Sequence, residues 1–518
     1  MPPAGFSPLV PILLATSAAF AAPLQERPAD APGAAAKQEP AKTAKDATEV
    51  ADREIPTQHE LALDGQKLSY TATAGTLLLR AEDGKKKASV FFVAYTKNGV
   101  ADPAERPVTF SFNGGPGSSS VWLHLGALGP KRVDLGPEGL GAPPPGRLVP
   151  NASSWLAFTD LVFIDPVSTG FSRAAPGETP DEYHGVDGDV RSVAEFIRLW
   201  TTRSARWASP KFLAGESYGT TRAAALADEL QSRHGMYLNG IVLVSAVLDF
   251  QTLRADVGND VPHPLYLPTL AAAAFYHGKL APELSKDLRA TLAEVEGFAS
   301  NEYARALARG VALPDEERAV IAAKVARYTG LAPEFVLDCN LRVDDERFYK
   351  ELLRAERRTV GRLDARFTGT DRDAAGATAE YDPSYSAIQG PYTAAMNDYV
   401  RRDLRFESDV EYEILTGRVH PWKFDGAENR YLNVAERLRG AMTRNPALRV
   451  FVACGYYDVA TPYFAAQSTF DHLGMDRELR ARIELAHYEA GHMMYVRPKD
   501  LEQLGKDAKA FYAKALGR

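Results

Sequence analysis

The chain has 518 residues, of which 45% are hydrophobic and 25% charged. That balance excludes a low-complexity or disordered protein, and the length allows either several domains or one α/β domain with insertions. The net charge of −7 excludes a broad electrostatic footprint for nucleic acid.

Residues 9–22 form an apolar run too short to span a membrane. It closes on Ala19-Phe20-Ala21, an A-x-A cleavage pattern. We therefore expect residues 1–21 to be a signal peptide, a secreted or periplasmic protein, and no membrane association once the peptide is removed. Residues 22–54 are rich in Ala, Pro, Lys, Glu and Asp and read as a disordered tether, because they hold too little apolar surface to order themselves. The folded domain is expected over 55–518. Cys339 and Cys454 could pair in an oxidising compartment or stay as buried thiols. No zinc-ligand spacing occurs, so neither metal nor cofactor is expected.

Residues 68–79 and 88–96 alternate in a β pattern and read as a hairpin. Residues 107–112 read as a strand that runs into Asn113-Gly114-Gly115-Pro116-Gly117-Ser118-Ser119-Ser120. This glycine-rich loop lacks the P-loop lysine pattern, and suits either a flexible turn or a set of backbone donors. A buried strand over 161–164 leads to Asp165-Pro166 and the turn at Thr169-Gly170. A helix is expected over 187–202, with Val190, Val193, Phe196, Ile197 and Trp200 on one face.

Gly215-Glu216-Ser217-Tyr218-Gly219 follows an apolar strand and precedes a helix expected over 220–233, with Ala223, Leu226 and Leu230 at helical spacing. In a strand-turn-helix of this kind, small flanking residues let the serine sit on a strained turn with its hydroxyl exposed at the sheet edge. The plainer reading is a glycine-rich turn whose serine caps the helix. A strand over 241–247 follows. From about 250 to 444 the pattern becomes helical, over 271–276, 282–309, 315–328 and 344–358, and reads as a lid-like insertion. Strands resume at 449–454, before Asp458, and at 482–485, before Gly491-His492; a helix over 498–516 closes the chain. Strands alternating with helices predict a mostly parallel sheet covered on both faces.

A serine hydroxyl needs a base to take its proton and an acid to orient that base. Ser217, Asp458 and His492 occur in the order serine, acid, histidine, each after a predicted strand. His487 is the alternative base, but it lies within or at the end of the last strand. Asp471 and Asp476 are alternative acids in a helical stretch.

Four separated stretches together resemble the serine carboxypeptidase family of the α/β-hydrolase fold. They are Asn113 to Ser119, Asp165-Pro166-Val167-Ser168-Thr169-Gly170-Phe171-Ser172, Gly215 to Gly219, and Ala490-Gly491-His492-Met493. The resemblance covers about residues 60–250 and 445–518. It implies Ser217 as nucleophile, His492 as base and Asp458 as its orienter. It implies an oxyanion hole from the N–H groups of Gly115 and Tyr218, and Asn113 and Glu216 binding the free carboxylate of a peptide substrate.

Three positions depart from that family's pattern. Ser111 stands where tryptophan is usual, Ala127-Leu128-Gly129-Pro130 where a second glutamate begins a Glu-x-Gly-Pro stretch, and Ser118 where cysteine is common. The expected activity is removal of C-terminal residues from peptides through an acyl-enzyme. An esterase or acyltransferase on the same scaffold is the alternative. A binding protein that kept the fold is a third reading, although binding alone does not need the full residue set.

Overall fold

The computed structural model describes residues 50–63 and 65–518. The expected signal peptide and residues 22–49 of the expected tether lie outside the described residues; residues 53 and 54, expected in the tether, instead open the first strand, because they pair with Thr76 and Gly75 of the second. Among the described residues the central sheet holds nine main strands: β1 (Arg53–Leu63), β2 (Gln66–Arg80), β3 (Lys86–Lys97), β4 (Val108–Phe112), β5 (Asp160–Ile164), β6 (Lys211–Glu216), β7 (Gly240–Val244), β8 (Arg449–Gly455) and β9 (Ile483–Tyr488). Their order across the sheet is β1-β2-β3-β5-β4-β6-β7-β8-β9, and a two-residue strand, Arg173–Ala174, pairs with β3. From β5 to β9 every pairing is parallel. β1, β2 and β3 pair antiparallel, and β3 joins β5 antiparallel.

The parallel core is apolar on both faces, as a doubly covered sheet requires. Every residue of β4, β5, β6 and β7 is buried. Alternate residues serve opposite layers. Leu213, Leu243 and Val452 pack with one cluster, whereas Phe212, Val242 and Phe451 pack with the other. α1 (Val186–Arg203) and α2 (Tyr218–His234) cover the first face, α1 through Val190, Val193, Phe196, Ile197 and Trp200. α2 stops at Gly235, whose φ of 61° gives the left-handed cap that glycine adopts without cost.

Between β7 and β8 the chain is mainly helical. The longer pieces are α3 (Pro262–Tyr276), α4 (Leu288–Phe298), α5 (Asp315–Thr329), α6 (Pro383–Arg402) and α7 (Ala435–Arg444). α3 packs into the first layer through Leu267 and Leu270, and α6 into the second through Ile388, Tyr392 and Met396. After β8 come α8 (Tyr463–Asp471) and, after β9, α9 (Pro498–Ala515), which lays Phe511 and Tyr512 on the second face. The stretch 282–309, expected as one helix, is α4 followed by a wider turn and a short helix, Ala304–Arg309. Cys339 and Cys454 are both buried free thiols.

Candidate active site

The carboxyl ends of β4, β6, β7, β8 and β9 carry the loops that hold the predicted site residues. Ser217 follows β6 directly at φ 59°, ψ −130°, a region that non-glycine residues occupy only under constraint. The neighbours explain the glycines. A Cβ on Gly215 would overlap the Gly219 carbonyl oxygen, and one on Gly219 would lie 2.9 Å from the Phe112 oxygen. Strand and helix can approach this closely only because both side chains are absent. Ser217 stands at the N-cap of α2 but, among the described residues, makes no side-chain capping bond. Its main-chain N–H donates to Val244 O at 3.0 Å, which fixes the elbow to β7.

Asp458 and His492 come together at the ends of β8 and β9. His492 Nδ1 lies 2.8 Å from Asp458 Oδ2, which places the ring proton on Nδ1 and leaves Nε2 as the basic nitrogen. Asp458 is fully buried, and its other oxygen, Oδ1, accepts from the Ala460 and Thr461 N–H groups at 2.9 and 3.0 Å. Thr461 Oγ1 donates to Asp458 Oδ2 at 2.6 Å and lies 3.2 Å from His492 Nδ1. Burial pulls the His492 pKa down, but the charge and hydrogen bond of Asp458 outweigh it, so the imidazole sits above its ordinary range. His487 instead lies within β9, stacked on Tyr456 with ring centres 5.4 Å apart.

Three ties hold the histidine loop. Ser245 Oγ donates to His492 O at 2.7 Å, and Leu363 O accepts the His492 N–H at 2.7 Å. Asp364 Oδ2 accepts the Gly491 N–H at 3.1 Å. A side chain on Gly491 would overlap Asp364, so glycine is needed before the histidine.

The glycine-rich loop lies directly against the elbow. A Cβ on Gly114 would overlap the Tyr218 nitrogen and lie 2.9 Å from the Gly219 nitrogen. Gly115 follows at φ 101°. The Tyr218 N–H belongs to the first turn of α2, where backbone donors lack helical partners and the helix dipole is positive. The loop is pinned from below by Arg222 of α2, which donates through Nη1 to Asn113 O at 2.5 Å and through Nε to Asp189 Oδ2 at 2.7 Å. Asp165, from the second family-like stretch, accepts from Ser120 N–H and Oγ at 2.8 and 2.7 Å. From above, the Ser119 N–H donates to Ile414 O and the Thr416 N–H to Gly117 O, both at 3.0 Å. Trp422 Nε1 donates to Tyr218 Oη at 3.1 Å.

Asn113 and Glu216 also meet. Asn113 Nδ2 donates to Glu216 Oε1 at 3.0 Å, while its Oδ1 accepts the Leu123 N–H at 3.1 Å. Tyr495 O–H donates to Glu216 Oε2 at 2.5 Å. Burial pushes the Glu216 pKa up to about 7. His492, Tyr495 and Asn113 pull it down, and the Asp458 charge pushes it up. Desolvation thus raises the Glu216 pKa although no second glutamate stands at Ala127.

Sequence reasoning did not find Ser245, Thr461, Arg222, Asp364 or Tyr495. Thr461 carried a local signal, three residues after Asp458 in an Asp-x-x-Thr turn. The others reach the site through tertiary contacts alone.

A mostly parallel sheet, a strained serine elbow and an Asp–His pair at the strand ends define a member of the α/β-hydrolase fold. The chain belongs to the serine carboxypeptidase family, whose profile, described as "Serine carboxypeptidase", matches residues 66–500. It is 29% identical to Serine carboxypeptidase-like 5 of Arabidopsis thaliana over 153 residues, covering 29% of this chain and 32% of that protein. It is 38% identical to the pheromone-processing carboxypeptidase KEX1 of Saccharomyces cerevisiae over 104 residues, 19% of this chain and 13% of the relative. These matches span a third or less of the relatives' length. The crystal structure of KEX1(delta)p, a prohormone-processing carboxypeptidase from Saccharomyces cerevisiae, superposes with a TM-score of 0.54 at 16% identity, covering 86% of this chain and 91% of that one. That likeness is one of fold.

Proposed function

We propose that this protein is a serine-type carboxypeptidase that removes C-terminal residues from peptides through an acyl-enzyme. The observation that carries the reading is the Asp458–His492 bond at 2.8 Å beside the constrained Ser217 elbow. Ser217 Oγ attacks the carbonyl carbon of the last peptide bond as His492 Nε2 takes its proton. The N–H groups of Gly115 and Tyr218 receive the developing oxyanion. His492 then protonates the departing amino acid, and water, deprotonated by the same nitrogen, hydrolyses the ester on Ser217. Glu216, neutral below about pH 7, and Asn113 face the substrate's free carboxylate.

One observation favours an esterase or acyltransferase instead. Both Glu216 oxygens already accept hydrogen bonds, from Asn113 and Tyr495. A panel of blocked peptides with free and amidated C-termini, assayed from pH 4 to 8, separates the readings. The carboxypeptidase reading requires faster cleavage of the free acids at the acid end. Equal rates throughout would move the esterase reading ahead.

We further propose export and a secreted or periplasmic location, on the strength of residues 1–21 read as a signal peptide, followed by a tether that ends before β1 at Arg53. The helical residues from about 250 to 444 would act as the lid of a single catalytic domain that begins with β1 at Arg53. Among the described residues no helix is long and apolar enough to cross a membrane.

A further inference from the structure

Tyr495 lies in a single turn, Met494–Val496, three residues after His492, and is buried. Its ring occupies the space beside Gly126. A Cβ on Gly126 would overlap the Tyr495 ring and lie 2.6 Å from the Tyr392 hydroxyl. Gly126 adjoins Ala127, the position at which the sequence lacks a second glutamate. The phenol that contacts Glu216 at 2.5 Å thus packs against the backbone next to the position where the second glutamate is missing.

We propose that Tyr495 is the positioning residue that sets how Glu216 recognises the C-terminal carboxylate of a substrate, its hydroxyl standing in place of a second carboxyl group. The inference rests on the reading that Glu216 faces that carboxylate. Asn113 cannot reverse its bond to Glu216, because its Oδ1 is committed to the Leu123 N–H. Glu216 Oε1 therefore stays an acceptor, and an acid proton on Glu216 belongs to Oε2, next to Tyr495. A hydroxyl both donates and accepts, so it serves either state: it donates to the carboxylate and accepts from the carboxylic acid. A second carboxyl would titrate alongside Glu216. The phenol stays neutral, because burial raises its pKa well above the ordinary tyrosine value. The charged and titratable groups facing Glu216 are then His492 and Asp458, from the loops after β9 and β8, with Tyr392 of α6 and Tyr495 as neutral neighbours.

The test is Tyr495→Phe, which keeps the ring against Gly126 and removes the hydroxyl. In wild type, kcat/KM for a free-acid peptide falls as pH rises through the Glu216 pKa. Without the donor to its anion, Glu216 holds its proton to higher pH, and this limb moves up by about one pH unit. The profile for the matching amidated peptide should not move with it. Tyr392→Phe, which removes a hydroxyl from the same space without a bond to Glu216, should leave the limb in place. Tyr495→Phe added to Glu216→Gln should cause no further shift. If wild type discriminates free acid from amide but Tyr495→Phe leaves the limb unmoved, or moves both substrates or both tyrosine variants alike, the inference is overturned while the carboxypeptidase reading stands. If wild type does not discriminate, both fall.

Should the phenylalanine variant not accumulate, the bond can be read in wild type by infrared difference spectroscopy between pH 5 and 9. The tyrosine C–O band should shift together with the Glu216 carbonyl band, and both signals should vanish in Glu216→Gln. A tyrosine band that does not respond contradicts the inference.

Discussion

Ser245 Oγ donates to the main-chain oxygen of His492 at 2.7 Å, tying the loop that presents the imidazole to the end of the strand beside the elbow. Ser245 itself sits at φ 54°, and its N–H donates to Ala453 O at 2.8 Å, so β7, β8 and the histidine loop meet at one residue. Ser245→Ala removes the tie without touching Ser217 or Asp458. A buried hydrogen bond contributes about 1 kcal/mol net, so kcat should fall about fivefold through misplacement of His492. Steady-state kinetics check it: an unchanged kcat would mean that the Leu363 and Asp364 contacts hold the loop unaided.

Arg222 and Asp189 form a buried ion pair, 1% and 3% exposed, whose arginine also holds Asn113 O. Arg222→Met leaves the Asp189 carboxylate buried without its partner. Removing one member of such a pair costs about 3–5 kcal/mol, and replacing both by apolar residues costs less. The denaturation midpoint of Arg222→Met should therefore lie below that of the double variant with Asp189→Leu. The reverse order would show that the pair contributes net stability beyond satisfying itself.

On the carboxypeptidase reading, two groups at the site titrate in opposing roles. His492 must be neutral to act as base, and Asp458 holds its pKa above the ordinary value against the effect of burial, so activity rises with pH through a point above about 6.5. Glu216 must be protonated to bind a free carboxylate, which fails as pH rises through about 7. The kcat/KM profile for free-acid peptides should therefore carry a falling limb as pH rises through about 7. A matching ester, which needs only His492, should climb to an alkaline plateau. Identical profiles for the two substrates would remove Glu216 from substrate recognition.

The same carboxyl affects stability. Its folded pKa of about 7 exceeds the ordinary 4.5, so between those values the unfolded chain has released a proton that the folded protein retains. The contribution of Glu216 to stability is thus greatest below pH 4.5 and is lost as pH rises to 7, by about 3 kcal/mol. Unfolding free energies of Glu216→Gln and wild type, subtracted at each pH, should show the variant gaining that amount from pH 4 to 8. A flat difference would place the Glu216 pKa near its unfolded value.

The sequence carried those parts of the site that depend on local geometry. Gly215, Gly219 and Gly491 are legible because a close backbone approach leaves no room for a Cβ, and Ser217, Asp458 and His492 because each follows an apolar strand. Tyr495, Ser245 and Arg222 were not legible, since their partners lie far away in the chain and no periodicity marks them. Among the elements, α3 was read only over its last turns because Pro264 and Pro268 interrupt its first half, and α6 was missed because Gly390 and Pro391 sit inside it. Both helices are held by packing into the core layers, which propensity does not register. β1 was missed because only Thr57 and Leu61 of its residues are buried, too sparse a pattern to stand out in the sequence.

The most direct test of the account is covalent labelling of the nucleophile. A fluorophosphonate should phosphonylate one residue, Ser217, identified by peptide mass mapping, and peptidase activity should disappear in step with the label. Ser217→Ala should neither label nor cleave, and His492→Ala should lose activity by a factor on the order of 10⁴ or more. Labelling at another serine, or cleavage that persists in Ser217→Ala, would contradict the account.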